Sequence, residues 1–165
     1  MSDSADLTKV HIDLPNHWWF KGESMWAKSL GDDLYQIESI PFCAYGLNCG
    51  DVVHATVDGP ELKPEIRSVV RRSGNQTLRI IFPDALSLEQ QRPVLAALEA
   101  MGTELERANG QFVCVNVPAT VSYASVRDYL GQQEAASLLE YETCEERVPG
   151  SFDDRPDEEG SENEA

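Results

Sequence analysis

The stretch QTLRIIFPDALSLEQQRPVLAALEAMGTELERANGQFVCVNV, residues 76–117, decides the fold class. Thr77 to Phe82 alternates, with Leu78, Ile80 and Phe82 on one face, and reads as a strand. Ser87 opens a helix running to about Met101, in which Leu88, Leu95, Leu98 and Met101 recur at helical spacing. Ser87-x-x-Gln90 is a capping-box pattern, and Gly102 supplies the stop. Thr103 to Ala108 and Gln111 to Val117 are strands joined by Asn109-Gly110, the strongest short hairpin signal in the chain. Residues 112–117 (FVCVNV) are apolar on both faces, as a central strand must be.

Working outward, a second helix begins around Ser122, carries Val126 and Leu130, and passes Gly131 to about Ala136. Leu138 to Cys144 closes as a strand. The order β-α-β-β-α-β is the ferredoxin-like split motif, which predicts helices over one face of a four-stranded antiparallel sheet. On the N-terminal side the period is that of strands. Val10, Ile12 and Leu14 alternate with polar neighbours. Met25–Leu30 and Leu34–Ile40 flank the turn-forming Gly31-Asp32-Asp33. Val52–Val57 and Glu65–Arg72 follow. Short strands with regular turn signals predict a small curled sheet or barrel. The expected class is α+β: a flexible 1–8, a small β subdomain over 9–74, a ferredoxin-like subdomain over 75–144, and an acidic disordered tail over 145–165.

Charge narrows the function classes. The 165 residues hold 29 acids and 13 bases, a formal net charge of −16. Such a surplus repels phosphate, arguing against general binding to nucleic acid or to an anionic membrane, and suits a basic partner. Met1 to Lys9 has neither the basic nor the apolar region of an export signal, and no stretch approaches the length of a membrane span, so the expected address is cytoplasmic. Cys43, Cys49, Cys114 and Cys144 lack CxxC spacing and read as small buried hydrophobes or free thiols, kept reduced, and not as a disulfide framework.

Three constellations bear on chemistry. His17-Trp18-Trp19-Phe20 and Met25-Trp26 hold all three tryptophans. They form either a partner anchor or a plug in the open end of the β subdomain. With Asp32, Asp33 and Asp51, the residues Trp18, Trp19 and Trp26 are the expected partner-binding set. Between Lys63 and Arg79 lie five bases and one acid, Glu65. Arg67, Arg71, Arg72, Ser73, Gly74 and Arg79 are therefore the alternative set, an anion site or else a solvated ion-pair face. Alternation puts Arg67 and Arg71 opposite Ile66 and Val70. The loop Ile40 to Asp51 reads as a structural bend or a ligand loop. Cys43 or Cys49 with His54 and Asp51 is a conceivable nucleophile pair, but acidic surroundings oppose a thiolate. The spacings of Cys43, Cys49 and His54 are too wide for a zinc signature. His11 and His17 read as solvent-facing or loop positions. No catalytic residue, metal or cofactor is assigned.

The strings VHIDLP, ESMWAKSLGDDLYQIESIPF, YGLNCGDVV, RRSGNQTLRIIF and LEYETC resemble an uncharacterised bacterial family, a domain of unknown function in proteins of about this length. The resemblance covers roughly residues 9–144 and carries over no catalytic residue. The acidic charge and split motif are similar, at the level of fold, to the ribonuclease E inhibitor family. The leading expectation is a non-enzymatic acidic protein-binding module, a cytoplasmic immunity protein that neutralises a basic toxin such as a nuclease. The alternatives are a sensor of a small anion and a thiol-dependent enzyme.

Overall fold

Alternation in the first half closes into a barrel. The computed structural model describes residues 7–18, 20–57 and 63–156. Strands β1 (Leu7–Asp13), β2 (Gly22–Gly31), β3 (Leu34–Ile37), β4 (Val52–Thr56) and β5 (Glu65–Arg71) pair as an antiparallel meander. The first and fifth strands of a meander run the same way, so closure must be parallel. It is made where His11 pairs Glu65 and the His11 N–H donates to the Pro64 carbonyl. Val10, Ile12, Met25, Ala27, Ile37 and Val53 fill the interior.

At the β2–β3 turn Asp32 and Asp33 take φ of 59° and 63°. Positive values at both positions match the right-handed twist of the flanking strands. Both side chains are exposed at the hairpin tip. Register shifts between β4 and β5 break the expected alternation. Val69 turns towards the core with Ile66, while Val70 is left 57% exposed. Arg67 and Arg71 are exposed, but Val70 is not the core residue that alternation implied.

The second half runs β6 (Gln76–Ile81), α1 (Leu88–Ala100), β7 (Glu104–Arg107), β8 (Phe112–Val117), α2 (Tyr123–Ala135) and β9 (Glu140–Thr143). Its strands form an antiparallel sheet in the order β7-β8-β6-β9. All six residues of β8 are buried, as a central strand requires. Ser87 and Gln90 make the reciprocal capping box of α1. Val94, Leu98, Val126 and Leu130 of the helices pack on Leu78, Ile80 and Val115 of the sheet. Leu88 is 58% exposed, a correction to its expected place in the core: the row Gln91, Val94 and Leu98 faces inward instead.

The two sheet edges are blunted differently. Strand β7 is short and carries Glu104 and Glu106. On β9 the Tyr141 N–H donates to Glu134 and the Thr143 carbonyl accepts from Arg147. Such devices discourage a foreign strand from pairing there.

The other sheet face meets the loop between β3 and β4. Ile40 packs on Phe112 and Cys114, and Phe42 touches both this cluster and the barrel core. The expected boundaries change at both ends. Leu7 and Thr8 already belong to β1. Residues 145–156, expected in the disordered tail, pack on the barrel: Phe152 covers its core, the Tyr45 N–H donates to the Phe152 carbonyl, and the Asn16 N–H donates to Asp153. One aromatic in an acidic segment anchors it. Residues 157–165 lie outside the described part.

The junction between the halves is built on Asp51, which is fully buried. Its carboxylate accepts from the Asn48 and Ser73 N–H groups at 2.9 and 2.8 Å. Ser73 Oγ and Asn75 Nδ2 both donate to the Cys49 carbonyl, and Thr77 Oγ1 donates to Asn48. Gly50 sits here at φ +87°, where an added Cβ would lie 2.9 Å from the Ser73 Cβ. Gly50→Ala is expected to cost about 2 kcal/mol from left-handed backbone strain and crowding, read as a lower urea midpoint at unchanged slope.

Candidate functional site

Two oppositely charged side chains grip one loop. Glu23, from β2, accepts from the N–H groups of Phe42, Cys43 and Ala44 at 2.5, 2.9 and 3.0 Å. Arg79, from β6, donates from Nη1 to the Cys43 carbonyl and from Nη2 to those of Pro41 and Ala44. The anion thus meets the donor ends of these peptide units and the cation their acceptor ends. Arg79 is 1% exposed.

Around this grip lies an aromatic and ionic hub. The Tyr45 ring has Arg147 at 4.4 Å and Arg79 at 5.1 Å from its centroid, placing both guanidiniums within cation–π range. Its hydroxyl donates to Glu142, which also accepts from Arg79 and Arg147. Burial first, then the Glu142 charge, pushes the Tyr45 phenol up to about 12, so it remains a donor. The Trp18 indole bonds the Tyr45 side chain as well. His17, buried beneath, stacks on Trp18 with ring centroids 5.2 Å apart. Desolvation, then the Arg79 charge, lowers the His17 pKa and favours the neutral ring.

Trp18 is nonetheless 55% exposed. Beside it opens a cleft of about 140 Å³, floored by Ile81 and Phe112 and walled by Arg79, Glu140, Tyr141 and Glu142. An indole with a bonded edge, one stacked face and an open remainder is a preorganised contact surface.

The expected partner-binding residues divide. Trp18 lines the cleft. Trp26 is 48% exposed on the outer wall of β2, where Lys9 Nζ lies 4.9 Å from its ring. Neither described indole plugs the barrel. Trp19 lies outside the described residues. Asp51 cannot meet a partner, because it is buried in the junction. Asp32 and Asp33 occupy the turn of a different hairpin.

The alternative anion set is not assembled. Arg79 is buried and committed to the loop, a correction to its expected place in a solvated basic patch. Arg67 donates to Thr56, and Arg72 donates to the Gly46 carbonyl beside Asp51. Ser73 serves the junction, and Gly74 takes φ +92° there. His17 lies in the loop between β1 and β2, as one of its two expected readings has it, but it is buried in the hub and not solvent-facing. Glu23, Tyr45, Glu142 and Arg147 escaped the sequence reading. Glu23 meets its loop about 20 positions on, and Tyr45 meets Glu142 and Arg147 about 100 positions on, so no local spacing marks those contacts.

The thiols are poorly placed for chemistry. Burial, then Glu23, pushes Cys43 up to about 12; burial, then Glu104, pushes Cys49 up to about 11. Among the described residues no group of three or more His, Cys, Asp or Glu side chains could hold a metal ion. Nor is any described helix long and apolar enough to cross a membrane.

The chain matches, over residues 23–141, a family described as a domain of unknown function, DUF4265. The match covers most of both halves, with Glu23, Tyr45 and Arg79, and leaves out His17, Trp18, Glu142 and Arg147. No curated protein matches the chain. A hypothetical protein from Neisseria gonorrhoeae, known from a crystal structure, is similar at 20% identity, with a TM-score of 0.69 over 84% of this chain and 94% of that one. That likeness extends to the fold.

Proposed function

We propose, for a chain that belongs to the DUF4265 family, a non-enzymatic role: an acidic protein-binding module that anchors a basic partner at the cleft beside Trp18. The observation that carries this reading is the exposure of an indole held on Tyr45 and His17. A large apolar surface kept rigid and open suits a hot spot more than a core. Charge supports the choice of partner. Residues 1–74 hold 11 acids and seven bases, whereas residues 75–165 hold 18 acids and six bases. Within that second span residues 75–144 hold only nine acids and four bases, so the two folded halves are about equally acidic, and the largest share of the surplus lies in residues 145–165 with nine acids and two bases. A field of that sign accelerates encounter with a cationic surface.

An immunity protein that blocks a basic toxin, such as a nuclease, in the cytoplasm is the form of this role we favour. The strand order β7-β8-β6-β9 favours reading the second half as a ferredoxin-like unit. The sensor reading is weakened by the dispersal of its arginines, and the thiol-enzyme reading by the raised cysteine pKa values.

Placing the photo-cross-linker p-benzoylphenylalanine at position 18 tests the role in a lysate of the source organism. The expected adduct is a basic protein whose yield falls steeply as salt rises to about 0.5 M, where the screening length is only a few ångströms. An acidic adduct, or a yield indifferent to salt, contradicts the proposal.

A further inference from the structure

We infer that the cleft beside Trp18 is one end of a longer groove, which takes an extended segment of the partner with two basic side chains at alternate positions. This rests on the protein-binding reading and names what the partner presents. A second hollow, of about 430 Å³, is lined by Pro83, Glu134, Ser137 and Leu139, and it shares Ile81 and Glu140 with the cleft. The two therefore join at the Ile81–Glu140 pair of β6 and β9. Ile81 is 40% exposed there, a second large apolar side chain left open in the same groove as Trp18.

Spacing follows from the sheet. The cleft lies over Arg79, Ile81 and Glu140 to Glu142, and the hollow over Ile81, Pro83 and Ser137 to Glu140. The step between them is about two residues, roughly 7 Å along a strand. Alternate side chains of an extended segment stand that far apart on one face.

Charge chooses the occupant. Glu142 is already met by Tyr45, Arg79 and Arg147. The exposed Glu140 side chain has no hydrogen bond or ion pair among the described residues. Glu134, exposed at the far end, accepts only from the Tyr141 N–H among those residues, at 3.4 Å. Each carboxylate is thus open to a cation, one in each part of the groove. Trp18, Ile81 and Pro83 offer apolar surface to the methylene stems, which long basic side chains bury while the charged head stays in water. Arg79 does not oppose them, because its guanidinium is 1% exposed and bonded to the loop carbonyls and Glu142. A single base fills one part only.

The test labels the full chain with nitrogen-15 and follows a reporter at each end of the groove. These are the Trp18 indole N–H, assigned by its loss in Trp18→Phe, and the Ser137 amide. The probes are end-capped Lys-Ala-Lys, Ala-Ala-Lys and Glu-Ala-Glu in about 0.15 M salt. Lys-Ala-Lys is expected to shift both reporters saturably with one affinity, at least about fivefold above Ala-Ala-Lys, and Glu-Ala-Glu to shift neither. Glu140→Gln should weaken Lys-Ala-Lys by about threefold. Glu106→Gln makes the same charge change on exposed β7, three strand spacings from β9. That is about 14 Å, beyond the screening length of roughly 8 Å, so it should leave the affinity unchanged. Equal weakening by the two variants overturns the inference, because attraction by the overall negative charge then explains the binding. Equal affinity for Lys-Ala-Lys and Ala-Ala-Lys, or no saturable shift, overturns it too. Cross-linking at position 18 reports on the protein-binding reading separately. A basic adduct without preference for the paired probe removes only the groove assignment. That preference without any basic adduct removes the partner.

Discussion

Arg79→Ala is expected to lower the free energy of unfolding by about 4 kcal/mol, read as a large drop in urea midpoint. The guanidinium reaches three main-chain carbonyls and the Glu142 carboxylate from a side chain 1% exposed. Truncation leaves those acceptors buried with their strongest donor gone, and it opens a cavity between barrel and sheet. Arg79→Lys should recover little of the loss. An ammonium is a compact point charge and cannot span four acceptors arranged around a planar fork. If alanine costs under about 1 kcal/mol, the loop is not held as described, because that is the cost of an ordinary surface change.

Glu23→Ala, on the opposite side of the same loop, is expected to cost about 3 kcal/mol. Three consecutive N–H groups lose one carboxylate that reaches all of them within 3.0 Å. Glu23→Gln keeps one acceptor oxygen and should cost roughly half as much. Because both charges act on the same peptide units, the double variant should fall short of additivity by about 1 kcal/mol or more. Full additivity in this double-mutant cycle contradicts the idea of a shared grip.

What was legible in the sequence follows from the range of the interactions. Strands and helices of the second half could be read because their signals are local: the Ser87 capping box, the Asn109-Gly110 turn and the double-sided apolar run of β8. The barrel was legible as alternating strands, but the β4–β5 register shifts were not, so Val70 was placed inward and Val69 overlooked. The loop Ile40 to Asp51 was singled out correctly as unusual. Its role was hidden, since it depends on Glu23 from an earlier strand and Arg79 from a later one. Arg79 itself was misread because alternation alone cannot tell a solvated face from one covered by a loop. Phe152 was diluted by the acids around it, which is why residues 145–156 looked like part of the tail. Of the candidate site, Trp18 was visible by type and neighbourhood. The Tyr45, Glu142 and Arg147 contacts that orient it were not, since Tyr45 and Glu142 lie 97 positions apart.

The idea on which the functional account stands is that a rigid exposed indole on an acidic protein meets a cationic surface. The measurement that addresses it is the association rate of the chain with its cross-linked partner across ionic strength, with Trp18→Ala alongside. The expected result is a rate that falls by about tenfold or more between about 50 and 500 mM salt. Trp18→Ala should leave that salt dependence intact and raise the dissociation rate by about thirtyfold, the equivalent of a 2 kcal/mol hot spot. A salt-independent rate, together with unchanged dissociation of Trp18→Ala, contradicts the account.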